Sequence, residues 1–352
     1  MLAALSFLSV INQRVLQNPF SKCIIIMGTN YLTYVLEGRT LRYLLGIDGG
    51  GTKTALCAAD ISVVEKADFS SAKVRYAVTS GTSWREHGAA KVAQKLCEAV
   101  RDLSVDGQIA GVAMGLPCYG ESHEGDSALE KEIARVFCDI PVYITNDVEV
   151  GWAGSLALEA GINIVAGTGS IAYGKDGSGK TARSGGWSEF FGDEGSCYWV
   201  GRKVLELFSK QADGRIPKDP LYETVRRAFG VNDDFDIIDP IYEKYMPSRE
   251  QVASLQLLAE EAALLRSSSA LEIYEQAVDE LYLLAAAVYH QLDFDKKPFK
   301  VSYSGGLFKG GELVLPQFSR KLANLGGELV APRLKPEEGA VLLAHSRFMK
   351  GL

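Results

Sequence analysis

The sequence predicts an α/β fold of two domains, each of which opens with a β-hairpin that has a glycine-rich tip. The chain has 352 residues, more than one hydrophobic core usually serves, so two domains are expected. Apolar strand patterns alternate with helical patterns, which favours sheets with parallel strands. The hairpin pattern that begins at Tyr43 starts again at Gly161. This repetition indicates a duplicated architecture whose two hairpin tips face one cleft.

The first domain is predicted to cover residues 43–160 and the second residues 161–352. In the first, we expect strands at 43–47, 54–59, 73–79, 109–116 and 142–145, and helices at 86–103, 129–137 and 148–160. In the second, we expect strands at 162–166, 171–174 and 301–303, helices at 196–208, 249–266 and 270–292, and a closing helix led by Pro336. Residues 1–42 are interpreted as an N-terminal extension, either a disordered tail or a start that precedes the native one. Their apolar runs are too short to span a bilayer, and they lack the basic start of a secretory signal.

Composition narrows the function classes. Hydrophobic residues make up 47% of the chain and charged residues 23%, within the range of globular proteins that are not membrane proteins. The net charge of -7 argues against nucleic acid as a partner, because polyanion-binding surfaces need clustered Lys and Arg. The six cysteines form no CxxC pair and the four histidines lie apart, so reduced thiols in the cytoplasm are expected and no structural metal.

The first hairpin tip has the residues of a phosphate-binding loop. Gly50 and Gly51 let backbone N–H groups approach a phosphate, and Thr52 adds a hydroxyl donor next to Lys53. Asp48 stands at the end of the preceding strand, where it can hold a hydrated Mg²⁺ ion against the phosphates. The alternative is a tight hairpin that binds no ligand.

A second loop of this kind follows about one domain length later, at Gly167, Thr168 and Gly169. A third glycine pair, Gly305 and Gly306, follows the strand at 301–303 and predicts a shelf where backbone packs against adenine and ribose. Two phosphate contacts and a shelf together predict a bound nucleotide.

Residues 174–181 fit the GxxxxGK[ST] formula of a P-loop. A P-loop must lead from a strand into a helix, yet a poor helix-forming segment follows at 182–186. We therefore interpret this match as a hairpin loop.

Asp147 is the candidate catalytic base, because it follows the strand at 142–145 and ligands bind at strand ends in open α/β sheets. A base that accepts the proton of a substrate hydroxyl is a standard part of phosphoryl transfer. The alternative, that Asp147 only caps the next helix, is compatible with this role.

Glycines, aromatic residues and acids are concentrated at 185–196, a mixture that sugar pockets use for stacking and hydrogen bonding. Asp193 could instead cap the helix predicted at 196–208. A weaker candidate for another wall of the pocket lies at 80–84. The predicted substrate-binding residues are Ser83, Trp84, Asp147, Gly186, Trp187, Ser188 and Asp193.

From about Tyr43 onward, the order and spacing of these motifs resemble those of the N-acetylglucosamine kinases within the BadF/BadG/BcrA/BcrD-type ATPase family. The resemblance implies the actin-like or sugar kinase ATPase fold, with duplicated ribonuclease H-like domains around a cleft. It also implies transfer of the γ-phosphoryl group of ATP, with Mg²⁺, to the 6-hydroxyl of an amino sugar such as N-acetylglucosamine. In that family the catalytic aspartate matches Asp147 and the adenosine shelf matches Gly305 and Gly306. A homodimer is compatible with the sequence, which does not define the oligomeric state.

Two departures leave the sugar open. Animal N-acetylglucosamine kinases have a sugar-binding Asn in a Thr-Asn-His-Trp stretch, where this chain has Thr82-Ser83-Trp84, and a Ser-Gly-Gly turn where it has Pro117-Cys118-Tyr119-Gly120. Glucosamine, N-acetylmuramic acid and other hexose derivatives are therefore alternatives.

The same family contains activators that use ATP to drive electrons into dehydratases and reductases. They resemble one another in a Gly-Gly-Gln-Asp loop and a Lys-Cys-Ala-Ala-Gly-Thr-Gly segment, and this chain has neither. A nucleotide-binding regulator on the same scaffold is a further alternative, since a fold does not determine a function.

Overall fold

The computed structural model describes residues 41–295 and 298–349, and these divide into two compact units. Unit 1 takes the described residues up to Asp147 together with those from Ala340 onward, and unit 2 is Val148–Gly339. The sequence placed the division at 160/161 instead, because it gave the helix that follows Asp147 to the first domain. Residues 1–40 of the predicted extension lie outside the described part of the chain.

Unit 1 contains a five-stranded mixed sheet in the order β3-β2-β1-β4-β5. Strand β1 pairs antiparallel with β2 and parallel with β4, and β4 pairs parallel with β5. Strand β2 also pairs antiparallel with β3, so β3 runs in the direction of β1. The strands are β1 (Arg42–Gly49), β2 (Lys53–Asp60), β3 (Val74–Ser80), β4 (Gln108–Leu116) and β5 (Val142–Asn146).

Two longer helices bury their apolar residues against the unit 1 sheet. Val92 and Leu96 of one helix and Leu129 of the other lie in a single hydrophobic core with strand residues such as Ile47. The helices are α1 (Ile61–Val64), α2 (Trp84–His87), α3 (Ala89–Asp102) and α4 (His123–Val136). A single helix was predicted over 86–103, but Gly88, with a φ of 79°, separates α2 from α3.

Unit 2 contains a sheet of the same design, in the order β10-β9-β6-β7-β8. Its first two strands form an antiparallel hairpin, and β6 and β9 are parallel neighbours, as β1 and β4 are in unit 1. The strands are β6 (Gly161–Ala166), β7 (Ser170–Lys175), β8 (Thr181–Gly185), β9 (Phe299–Ser304) and β10 (Gly327–Leu329). The predicted α/β fold with a duplicated architecture is thereby confirmed.

Unit 2 is richer in helices than unit 1. They are α5 (Asp147–Leu156, which begins at the last residue of the first segment of unit 1), α6 (Cys197–Ala212), α7 (Pro220–Phe229), α8 (Ile238–Pro240), α9 (Arg249–Ser254), α10 (Gln256–Leu264), α11 (Ser268–Tyr289), α12 (Leu315–Ala323) and α13 (Pro336–Phe348, which ends in unit 1). Short 3₁₀ segments occur at Asp234–Ile237 and Gly306–Leu313, and one π-helical segment occurs at Ile241–Tyr245. Within 41–295 and 298–349, none of the helices has the length and apolar character that a bilayer crossing requires.

Glycines allow helices α5 and α13 to approach each other inside unit 2. A Cβ atom at Gly339 would lie 2.1 Å from the backbone nitrogen of Gly154. In unit 1, the end of α13 packs against the sheet, where a Cβ atom at Gly111 would lie 2.6 Å from the ring of Phe348. The last helix of the chain therefore contributes packing to both units.

Candidate active site

The carboxyl ends of the parallel strands β1, β4 and β5 meet at one edge of the unit 1 sheet. Asp48 is paired with Gly115, and Gly115 is paired with Thr145. Two strand spacings, roughly 10 Å in all, therefore separate Asp48 from Thr145. Asp147 follows two residues later, as the first residue of α5. The predicted catalytic base and the predicted metal-binding aspartate thus belong to the same sheet edge.

The tip of the β1–β2 hairpin also lies at this edge and is open to solvent. Gly51, Thr52 and Lys53 are exposed. The N–H group of Gly50 donates to the carbonyl of Lys53 at 2.9 Å, which closes the turn. A Cβ atom at Gly51 would have no neighbour within 4 Å. The backbone at Gly51 is therefore accessible to a ligand as large as a phosphate group.

The loop that follows β3 supports this tip from behind, a role that the sequence did not predict. Thr82 N–H donates to the carbonyl of Gly50 at 3.0 Å, and Gly81 N–H donates to that of Thr52 at 2.9 Å. A Cβ atom at Gly81 would lie only 1.6 Å from the carbonyl oxygen of Gly51. Only glycine fits at position 81 in this arrangement, and a glycine just after an apolar strand is the one signal that could have indicated it.

Ser83 and Trp84, the weaker candidates for substrate contact, come next in this loop. Ser83 is buried and precedes helix α2. The ring of Trp84 rests on the first turn of α4, where a Cβ atom at Gly125 would lie 2.1 Å from it. Its indole nitrogen is buried and finds no hydrogen-bond partner. Much of the Trp84 ring therefore packs on α4.

Cys118 lies just beyond β4, and three charged groups of unit 1 influence its thiol. Burial raises the pKa of its thiol, and the negative charges of Glu121 and Asp147 act in the same direction, whereas a hydrogen bond from Arg85 opposes them. Arg85 also forms an ion pair with Glu121, with 3.6 Å between Nη2 and Oε2. Arg85 and Asp147 therefore both affect the pKa of the same thiol, at the carboxyl edge of the sheet.

The second predicted phosphate loop, residues 167–169, is the tip of the β6–β7 hairpin in unit 2. The N–H group of Gly167 donates to the carbonyl of Gly169 at 2.9 Å. The carbonyl of Gly167 accepts from the N–H group of Cys197 at 2.8 Å, so the first turn of α6 holds the loop. Thr168, between the two glycines, is half-buried.

Gly305 packs against this same loop. Its φ is 107°, and a Cβ atom there would lie 2.3 Å from the carbonyl oxygen of Ala166 and 2.7 Å from the nitrogen of Gly167. Any side chain at Gly305 would displace the loop, although the residue itself is exposed. Gly306, the next residue, faces the buried thiol of Cys197. The structure thus brings the second phosphate loop and the predicted adenosine shelf together.

Asp193 lies beneath the second phosphate loop. Its carboxylate accepts from Ser170 N–H at 3.2 Å and from Arg249 Nη2 at 2.6 Å. A Cβ atom at Gly169 would lie 2.8 Å from its Oδ1. Asp193 is only 3% exposed, and burial raises the pKa of its carboxyl group, while Ser170 and Arg249 oppose that rise. Its side chain does not cap α6; the hydroxyl of Ser196 does so by accepting from Trp199 N–H.

The segment before Asp193 exposes its aromatic side chains. Trp187 is 64% exposed, and its ring centroid lies 6.5 Å from that of Phe191. Gly186, with a φ of 72°, donates its N–H group to the carbonyl of Ser170. Ser188 has a φ of 97°, a conformation that favours glycine. The backbone at Ser188 thus adopts a conformation that is usual for glycine, although the residue is a serine.

The residues that fit the P-loop formula form a β-hairpin loop, as predicted. Strand β7 ends at Lys175 and pairs antiparallel with β8, which begins at Thr181. The carboxylate of Asp176 accepts from the N–H groups of Ser178 and Lys180 inside the turn, and Lys180 Nζ donates to the carbonyl of Gln291. No helix follows that could direct its N-terminus at a phosphate.

The residues at these edges fit ATP and magnesium. Exposed glycine backbone at Gly51 and Gly305 is what a phosphate and a nucleoside need for close approach. Magnesium commonly keeps several waters and binds through one or two carboxylates plus substrate phosphates. Asp48 suits that mode, and the described residues contain no group of three acidic, His or Cys side chains that would form a complete metal site by themselves.

Two sheets of one topology, each with a glycine-tipped hairpin at the carboxyl edge, define a duplicated α/β protein of the nucleotide-using class. The chain belongs to the BadF/BadG/BcrA/BcrD ATPase family, whose sequence profile matches residues 45–344. The predicted family is thereby confirmed.

Curated relatives indicate the enzyme class. The chain is 27% identical over 318 residues to the N-acetylmuramic acid/N-acetylglucosamine kinase of Clostridium acetobutylicum, a match that covers 87% of this chain and 99% of that protein. It is 29% identical over 309 residues to the N-acetyl-D-glucosamine kinase of Dictyostelium discoideum, with 85% and 97% covered. These matches bear out the prediction of an ATP-dependent phosphotransferase.

Solved structures confirm the fold. A protein of Chromobacterium violaceum that is provisionally named an N-acetylglucosamine kinase has a TM-score of 0.65 at 23% identity, with 86% of this chain and 99% of that chain covered. A provisionally named N-acetylglucosamine kinase of Porphyromonas gingivalis has a TM-score of 0.61 at 18% identity, with the same coverage.

Proposed function

We propose that this chain transfers the γ-phosphoryl group of ATP to the 6-hydroxyl group of N-acetylglucosamine or a closely related amino sugar. The observation that carries the proposal is the position of Asp147 at the carboxyl end of β5, at the same sheet edge as the open glycine tip and Asp48. Both curated relatives are kinases of N-acetylated amino sugars and match nearly their whole length, which supports the same acceptor class here.

Each set of residues has a role in this proposal. Asp147 accepts the proton of the sugar hydroxyl as that oxygen attacks the γ-phosphorus. Backbone N–H groups of the two hairpin tips, 50–53 and 167–169, bind the phosphates, and Gly305 and Gly306 lie along the nucleoside. Magnesium, when bound, neutralises charge on the phosphate oxygens, and Asp48 holds it through water. The sugar is bound by Ser83, Trp84, Gly186, Trp187 and Ser188 together with Asp147, whereas Asp193, which the sequence predicts as a sugar contact, positions the second phosphate loop.

The test is a coupled ADP-release assay with Mg-ATP and a panel of N-acetylglucosamine, glucosamine, N-acetylmuramic acid, N-acetylmannosamine and glucose. We expect turnover on an N-acetylated amino sugar. The 6-deoxy analogue of the best substrate should bind without releasing ADP, because it lacks the accepting hydroxyl. ATP binding without turnover on any sugar would contradict the kinase and favour a regulator or an activator.

Asp147→Asn should lower kcat by about 10²- to 10⁴-fold, because an amide cannot accept the proton, while the melting temperature stays the same. The matched control is Asp139→Asn, which removes an exposed carboxylate from the residues just before β5, at the opposite edge of the same sheet. Near-normal kcat in Asp147→Asn would remove this residue from the mechanism.

A further inference from the structure

An arginine lies at the same edge of the unit 1 sheet as Asp147. Arg85 is the second residue of α2, directly after Trp84 in the loop that follows β3. Its guanidinium lies 5.0 Å from the centroid of the Trp84 ring, which fits a cation–π contact. Its side chain is 49% exposed, and its one ion pair with another described residue, Glu121, is 3.6 Å long. Most of its five N–H donors therefore remain available to a ligand.

The other arginines in the described part of unit 1 lie elsewhere. Arg42 and Arg75 stand at the amino ends of β1 and β3, and Arg347 lies over the ring of Tyr143 near the start of β5. Arg101 and Arg135 are in the last turns of α3 and α4. These helices connect parallel strands, so their last turns lie at the amino edge of the sheet. Arg85 is thus the one arginine of this described region at the edge that carries Asp147.

Acidic residues lie at the edge that carries Arg85: Glu121 pairs with it, and Asp48 and Asp147 stand at the carboxyl ends of β1 and β5. The lysines at this edge have other positions, since Lys53 is at the hairpin tip and Lys95 Nζ donates to the carbonyl of Gly81 at 2.6 Å. Cys118 lies two residues beyond the end of β4, where both Arg85 and Asp147 influence its thiol. An anionic sugar would be repelled at this edge unless a cation received its charge. A guanidinium can do so with two parallel hydrogen bonds to a carboxylate.

We propose that Arg85 binds a carboxylate carried by the substrate, so that the preferred acceptors are amino sugars with an ether-linked acid, as in N-acetylmuramic acid. This rests on the proposed function, since it takes the sugar to lie beside Asp147. The curated relative from Clostridium acetobutylicum is named for N-acetylmuramic acid as well as N-acetylglucosamine, so its name includes an acceptor of this chemistry.

The experiment compares three ligands: N-acetylmuramic acid, its neutral methyl ester and N-acetylglucosamine. Binding is measured by calorimetry without ATP, and turnover by ADP release. Arg85→Gln should raise the Kd and KM for the acid about tenfold or more, and leave those for the ester and for N-acetylglucosamine within about twofold, because only the acid loses a charged hydrogen bond. Wild-type protein should discriminate acid from ester by the same factor.

The matched control is Arg135→Gln, which also removes an exposed, ion-paired arginine from unit 1 but at the opposite edge. Arg135→Gln should change neither the Kd nor the KM for any of the three ligands. If Arg85→Gln weakens the binding of all three ligands equally, or of none, the carboxylate role is overturned while the proposed kinase activity still stands. Binding of the acid that depends on Arg85, without turnover, would instead contradict the kinase and support the carboxylate site. A wild-type protein that binds none of the three would contradict both.

Discussion

Asp193 connects the second phosphate loop of unit 2 to the exposed aromatic segment. One carboxylate oxygen accepts from Ser170 at the base of the loop, and the other accepts from Arg249. Arg249 also forms an ion pair with Glu189, with 3.1 Å between Nε and Oε2. Asp193 has a φ of 60°, a conformation that asparagine, aspartate and glycine tolerate better than other residues. These contacts support a role in positioning the phosphate loop.

We predict that Asp193→Asn raises the KM for Mg-ATP by about tenfold and changes the KM for the sugar less than twofold. The amide keeps the shape of the side chain but loses the charged hydrogen bond to Arg249, worth roughly 1.5–3 kcal/mol. Steady-state kinetics in both substrates measure this split. Asp213→Asn, which removes an exposed carboxylate paired with Arg215, is the control and should change neither constant.

A rise in the sugar KM with an unchanged KM for ATP would instead favour the direct sugar contact predicted from the sequence. The motif around Asp193 could be found in the sequence because glycines, aromatic residues and acids are so concentrated there. Its partners could not be found, because Ser170 and Arg249 are 23 and 56 residues away along the chain. The support of Gly51 by Gly81 was missed for the same reason, since only the folded sheet brings β3 beside the hairpin.

At the scale of elements, one carboxylate joins three helices of unit 2. Asp219 caps α7 by accepting from Leu221 N–H at 3.0 Å, and its other oxygen accepts from Ser269 N–H and Ser267 Oγ at the start of α11. Gln211, near the end of α6, donates to it at 3.0 Å. Burial by itself raises the pKa of Asp219, but these hydrogen bonds outweigh burial and lower the pKa to about 2.

A lowered pKa in the folded state means that the ionised carboxylate stabilises the fold above the unfolded value and that this stability is lost as the pH falls towards 2. We predict that Asp219→Asn lowers the free energy of unfolding by about 2 kcal/mol at pH 7, and that the difference from wild type shrinks between about pH 4 and pH 2. Urea unfolding followed by circular dichroism at several pH values measures this.

Hydrogen exchange should locate the loss at the first turns of α7 and α11. Asp233→Asn serves as the matched control, because Asp233 caps a short 3₁₀ segment at the surface of unit 2. A difference between wild type and Asp219→Asn that is independent of pH would contradict the assigned charge role.

Predicted elements were most accurate where the apolar pattern was strong and long. Both glycine-tipped hairpins, the strand at 109–116 and the start of the last helix at Pro336 agree with the structure to within a residue or two. Helix α7 and strand β10 were not predicted. β10 has only three residues, too few to show a period, and α7 is short and half polar. The helix breaks at Gly88 and Leu255 were also not predicted, because the apolar periodicity of the sequence continues through a break of a single residue.

At the scale of the whole molecule, the chain uses one sheet topology twice, and its final helix then returns to unit 1. Helix α13 starts in unit 2, where Gly339 lies against Gly154, and ends in unit 1, where Phe348 packs on Gly111. The repetition could be predicted from the two hairpins. The return of the chain to unit 1 could not be predicted, because the sequence of residues 340–349 has no pattern that assigns it to one hydrophobic core rather than the other.

We predict that Phe348→Ala destabilises unit 1 by about 2 kcal/mol, less than a fully buried phenylalanine would, since the ring is half-buried. Thermal unfolding measures the loss, and hydrogen exchange should show it in β4 around Gly111. Phe235→Ala, which removes the same side chain from an exposed position in unit 2, should leave the melting temperature nearly unchanged. Loss of protection confined to unit 2 in Phe348→Ala would show that the ring acts elsewhere.

The division of unit 1 between the two ends of the chain has a consequence for biosynthesis. A ribosome releases the β1–β5 segment first, yet residues 340–349 of the same unit emerge only after all of Val148–Gly339. Unit 2 is continuous and can complete its core while translation continues. Unit 1 has to wait, with the surface around Gly111 uncovered, until the final helix leaves the exit tunnel. Translation that stops at Gly339 would therefore damage the unit whose strands were made first.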